Sequence, residues 1–101
     1  MLQKLYALYD EKAEKFLPPQ VHNARGEAVR SFTDGINNPE SILNVHAGDF
    51  TLYELAEFNC EDGDINSHSD PVKVVNGGDL KIEPSPPNLA EVAGLPEQRQ
   101  A

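Results

Sequence analysis

Cysteine occurs once in the 101 residues and tryptophan not at all. A lone thiol, Cys60, cannot staple the fold internally, so a disulfide scaffold is excluded and stability must come from packing. No apolar run approaches the roughly 18 residues of a membrane span, and the N-terminus lacks the basic-then-apolar order of a secretory signal. The expectation is a soluble, non-secreted chain with no membrane association, at home in a reducing cytoplasm. Basic side chains are also scarce, with 8 Lys and Arg against 17 Asp and Glu and a formal net charge of −9. That balance repels polyphosphate at long range and argues against an extended basic surface.

The machinery of catalysis is missing too. There is no Gly-rich phosphate loop, no nucleophile elbow and no HExxH, and His22, His46 and His68 fall far apart in expected loops. Cys60 is followed by Glu61 and Asp62, whereas a nucleophilic thiol needs cationic neighbours. The stretch CEDGDINSHSD, residues 60–70, comes nearest to a metal site. Asp62, Asp64 and Asn66 fill the first three positions of a calcium loop, but Ser67 stands where the turn needs Gly and Lys73 where a closing Glu belongs. One Cys and one His are also far short of a zinc set. Asp62-Gly63 at the end of an alternating strand is a hairpin signal instead, running into a flexible acidic loop. These absences predict a non-enzyme with no cofactor and no metal.

What is present reads as one small domain over residues 1–82, followed by a tail over 83–101. In KLYALYD both alternating sets, Leu5/Ala7/Tyr9 and Tyr6/Leu8, are largely apolar, the pattern of a central strand covered on both faces. FLPPQV holds two prolines, which forbid a regular ladder and leave a short edge strand or a turn. Asn23 is the expected N-cap of a helix whose Ala24, Ala28, Val29, Phe32 and Ile36 form one apolar stripe. On its other face Glu27 with Arg30 and Arg30 with Asp34 fall at pairing offsets, and the Asn37-Asn38-Pro39 run stops it. Residues 40–43 are expected to form a helical turn. FTLYELAEFN alternates as a strand with Glu54 and Glu57 interrupting its two sets, PVKVV is the last strand, and NGGD is a turn. The tail has four prolines in its 19 residues and little to bury, so it is expected to be disordered or partner-bound. The fold class is therefore α+β: a three- to four-stranded, mostly antiparallel sheet with one helix on a face. The tyrosine-bearing strands leave the other face to a second copy, which predicts a homo-oligomer, a dimer.

KLYALYDEKAEKFLPP, the helix ending FTDGINNPES, and HAGDFTLYELAEFN with its following acidic DG turn together resemble the small nonstructural protein of gokushoviruses, single-stranded DNA phages of the Microviridae. The resemblance spans roughly residues 1–80. It implies a nonstructural protein that binds single-stranded DNA during viral genome synthesis or packaging in the cytoplasm of the infected bacterium. Single strands are held by aromatic faces that stack on bases and by Lys and Arg that follow the phosphates. The candidates are Lys4, Tyr6, Tyr9, Lys12, Lys15, Phe16, Arg25, Arg30 and Tyr53. Their distribution is favourable: residues 1–47 carry five basic against six acidic side chains, and residues 48–101 three against eleven. Core packing competes for each aromatic, and acids four residues away compete for Lys15 and Arg30. The alternative function is an interaction accessory that engages phage or host replication and assembly proteins through the acidic half and the Pro-rich tail.

Overall fold

A computed structural model describes residues 2–82. The expectation for the tail, 83–101, lies outside the described residues. The architecture is α+β, with an antiparallel five-stranded sheet. Its elements are β1 (Leu2–Asp10), β2 (Lys15–Phe16), β3 (Gln20–His22), α1 (Arg25–Ile36), α2 (Ile42–Val45), a 3-10 turn (Ala47–Asp49), β4 (Phe50–Asn59), β5 (Ile65–Asn76) and α3 (Gly77–Leu80).

β1 is central, as its doubly apolar pattern predicts. One of its edges pairs with β4 from Leu2↔Asn59 to Asp10↔Phe50, and the other is shared by β2 and β3. Leu17-Pro18-Pro19 splits that second edge into two short pieces, because proline cannot donate to a ladder. α1 covers one face of the sheet only. Ala28, Phe32 and Ile36 recur every four residues and pack with Tyr6, Phe50 and Leu52 in one buried cluster. Burying Phe32 and Ile36 contributes roughly 1.5–3 kcal/mol each. The opposite face, where β1 was expected to be covered too, carries no helix among the described residues.

Several local expectations are corrected. The N-cap of α1 is Ala24, which makes no side-chain cap. Asn23 precedes it: its side-chain oxygen accepts from Gln3 Nε2 at 2.7 Å, and its backbone N–H donates to Glu27 at 3.0 Å. Glu27 is thereby drawn back over the helix start, and neither Glu27 nor Asp34 forms an ion pair with Arg30. Ala24→Ser completes a capping sequence with Glu27 already in place, and is expected to raise stability by about 1 kcal/mol in urea unfolding. No change in midpoint would mean that the helix start is already satisfied.

The last strand is longer than PVKVV. The hairpin turns where Asp62-Gly63 predicts, with Gly63 at φ 80° and the Asp64 N–H donating to the Asp62 carboxylate at 2.9 Å. The flexible acidic loop expected after it is strand: β5 begins at Ile65 and pairs with Phe58. It continues past Pro71 because residues 68–71 bulge opposite the single residue Leu55, where proline's missing N–H costs no ladder bond.

NGGD forms the one-turn helix α3 instead of a simple turn. Asn76 caps it by accepting from the Gly78 N–H at 2.8 Å, while its amide lies 3.0 Å from Gly48 O and 3.2 Å from Phe50 O. Asn37, at the end of α1, donates to Leu80 O and accepts from the Ile82 N–H at 2.7 Å. The chain after β5 is thus fastened beside the core.

Candidate nucleic-acid interface

Strand alternation sorts the candidate residues onto two faces. On the face opposite α1, Tyr9 stands beside Phe16 on β2, and Ala7 stands beside Tyr53 on β4. The three aromatic rings meet edge to face, with centroids 4.9 Å apart for Tyr9–Phe16, 5.6 Å for Phe16–Tyr53 and 6.3 Å for Tyr9–Tyr53. With Pro71 from the β5 bulge they line a shallow concavity of about 230 Å³. Lys12 lies in the β1–β2 turn and Lys73 is the cross-strand neighbour of Tyr53, whereas Lys15, paired with Asp10 beside the Tyr9–Phe16 pair, belongs by alternation to the opposite face. All three lysines are exposed, and among the described residues none forms an ion pair. Phe16 is 40% exposed, so the cluster offers aromatic surface with lysine beside it, the two kinds of contact by which single strands are generally held.

Lys4, Tyr6 and Arg25 are on the other face, gathered around Glu54. That carboxylate is only 5% exposed. It accepts from the Tyr6 hydroxyl at 3.2 Å, from Arg25 Nη2 at 3.2 Å and from His68 Nε2 at 2.8 Å, with Lys4 Nζ at 3.5 Å. An ionised carboxylate only accepts, so His68 presents Nε2–H to it. Burial pushes the Glu54 carboxyl upward, but His68, Arg25, Lys4 and Tyr6 outweigh burial and hold it below the usual range. Burial and then the Glu54 charge push the Tyr6 hydroxyl up, keeping it a neutral donor. Tyr6 is 2% exposed and its ring is core, so it offers no stacking surface; Arg25 is paired with Glu54, and Lys4 with Glu54 and Glu57. Arg30 is exposed on α1, across the sheet from the aromatic concavity.

A β-bulge explains how Glu54 and Glu57 share Lys4. The register steps from Leu5↔Ala56 to Tyr6↔Glu54, leaving Leu55 as an extra residue. The step returns Glu57, 3.8 Å from Lys4, to the face of Glu54. A second cavity, about 370 Å³, lies between α1 and the β1–β3 edge and is lined by Leu8, Leu17, Pro18 and Phe32. Neither Lys nor Arg lines it, so a phosphate finds no cationic partner there.

The nine sequence candidates thus divide into an open-face group, Tyr9, Lys12, Phe16 and Tyr53, and a group turned toward Glu54, with Lys15 and Arg30 apart from both. Sequence reasoning missed Pro71, which lines the concavity, and Lys73, the neighbour of Tyr53; both are placed there only by the β5 register. It also missed Glu54 and His68, whose meeting depends on the strand pairing. No local signal marks them: Glu54 reads as an interruption and His68 as a loop residue.

Fold and site together define a small α+β protein with one helix-covered sheet face and one open face bearing aromatics and lysine. The family model described as Phage ORF5 protein matches residues 3–80, and the chain belongs to that phage protein family. Neither curated proteins nor solved structures yield a match. No helix among the described residues is long and apolar enough to cross a membrane.

Proposed function

We propose that this phage protein is a non-enzymatic single-stranded-DNA-binding protein, acting during viral genome synthesis or packaging in the cytoplasm of the infected bacterium. The gokushovirus resemblance of LYALYD and DFTLYELAEF supplies the biological setting. The observation that carries the reading is the convergence of Tyr9, Phe16 and Tyr53 from three strands on the open sheet face. The backbone of the strand runs past Lys12 and Lys73, and its bases stack on the exposed aromatic surface. Overall charge sets a weak affinity that falls as salt rises, because only this local patch opposes the −9 of the whole chain.

Fluorescence anisotropy with a labelled oligothymidine at low salt tests this directly. Phe16→Ala is expected to weaken binding roughly 10- to 100-fold, the worth of one stacked base. Lys73→Ala should flatten the dependence of log affinity on log salt by about 0.7. Absence of binding at tens of micromolar protein would sink the proposal, as would an affinity unmoved by Phe16→Ala.

A further inference from the structure

The open sheet face is not uniform. Its aromatic concavity and Lys73 occupy one end. The other end consists of two cross-strand rows, Val21–Leu5–Ala56–Ser67 and Gln3–Phe58–Ile65. This second patch crosses β3, β1, β4 and β5, contains no ionisable side chain, and leaves Val21 41% and Ile65 55% exposed.

We infer that this patch packs face to face on the same patch of a second copy of the chain. Charge favours that occupant. A two-fold interface sets a surface patch against the same patch, so a patch with an excess of acid repels itself, and in a chain of net charge −9 an uncharged patch avoids that repulsion. The edge of the sheet is a poor alternative route. β5 presents Pro71 inside a four-residue bulge and Lys73 shortly after it, both of which blunt edge-to-edge pairing. Core size points the same way. Among the described residues, four of the nine buried apolar side chains are alanines, so a single copy buries little and gains by covering Leu5 and Phe58. Pairing these ends leaves both aromatic concavities uncovered. One strand of DNA can then engage two sites, a consequence that rests on the function proposed above, whereas the dimer itself does not.

Sedimentation velocity of the full chain without DNA, over about 1–100 µM, provides the test. The wild type is expected to sediment as a dimer, and Val21→Lys with Ile65→Lys to raise the dissociation constant about 100-fold or more. Ser67→Lys, at an exposed polar position of the same rows, is expected to act in the same direction without touching the core. Ile42→Lys, on exposed α2, should leave the dimer intact. A monomeric wild type across this range overturns the inference, and so does a dimer that survives both patch variants or is lost only with Ile42→Lys. Oligonucleotide binding is read separately. A dimer that binds no DNA overturns the proposed function alone, and a monomer that binds DNA overturns the dimer alone.

Discussion

Replacing Gly77 by Ala is expected to lower stability by about 3 kcal/mol, although the residue opens a helix and alanine is the better helix former. A β-carbon at this position strikes the Ala47 carbonyl oxygen and falls 2.6 Å from Ile36 Cδ1. The first neighbour is backbone, and it cannot turn aside as the end of a flexible side chain would. The second belongs to a fully buried core residue. Relief therefore requires α3 to move away from the 3-10 turn, which disturbs the Asn76 bonds to Gly48 and Phe50 and the Asn37 bond to Leu80. The helix-propensity gain is about 1 kcal/mol, too small to offset this. In thermal unfolding the loss corresponds to a fall in Tm of roughly 15 °C for a domain of this size. Gly26→Ala is the matched comparison: it lies in α1 with nothing within 4 Å, so there the propensity gain should appear unopposed. A Tm for Gly77→Ala within a few degrees of wild type would show that α3 is not held against the core.

Gly77 also illustrates what a sequence can and cannot convey. NGGD announces a break after the last strand, since Asn and Gly together signal a turn. It says nothing of the carbonyl that a side chain there would strike, because Ala47 is brought into place by the whole sheet. α1 was legible for the opposite reason. Its apolar stripe is a local periodicity, and its buried residues are members of that stripe. The central position of β1 was legible from the apolar character of both its alternating sets. Its covering was not, because a doubly apolar strand reads the same whether its second face meets a helix, another copy or solvent. β5 was under-read from Ile65 onward, since INSHSD has the composition of a loop. Pairing with Phe58 and Ala56 holds it extended, and tertiary context overrides propensity in strands more readily than in helices. The same limit governs the site. Tyr9 and Tyr53 were identifiable as strand aromatics, but their convergence with Phe16 needed the β1–β4 register, and Lys73 needed that of β5.

Glu54 is expected to be the most costly polar side chain to remove. Glu54→Ala leaves the Tyr6 hydroxyl buried without its acceptor and sets Lys4, Arg25 and His68 near one another without the carboxylate between them. Losing a buried, charge-assisted acceptor of this kind costs about 3 kcal/mol; exposure of Arg25 and Lys4 to water keeps the cost from rising further. Glu54→Gln retains an oxygen for Tyr6 and Arg25 but sets an amide NH2 where His68 and Lys4 had an acceptor, and should cost less than Glu54→Ala, about 2 kcal/mol. Acidity supplies an independent reading of the same group. Its carboxyl is held below the usual range in the folded chain, so the unfolded chain binds the proton more tightly. The stability it contributes is therefore present above the unfolded value, about 4.3, and is lost as pH falls through the lower folded value. Wild-type urea midpoints should accordingly fall on acidification below about pH 4.5, and Glu54→Gln should fall less over the same window. Parallel curves for the two proteins would place the acid sensitivity on other carboxylates and show that the cations around Glu54 do not stabilise its charge. A smaller slope in the variant, together with an unchanged slope for the exposed control Glu40→Gln, would assign that stability to the cluster in which Lys4, Arg25 and His68 surround a single buried carboxylate.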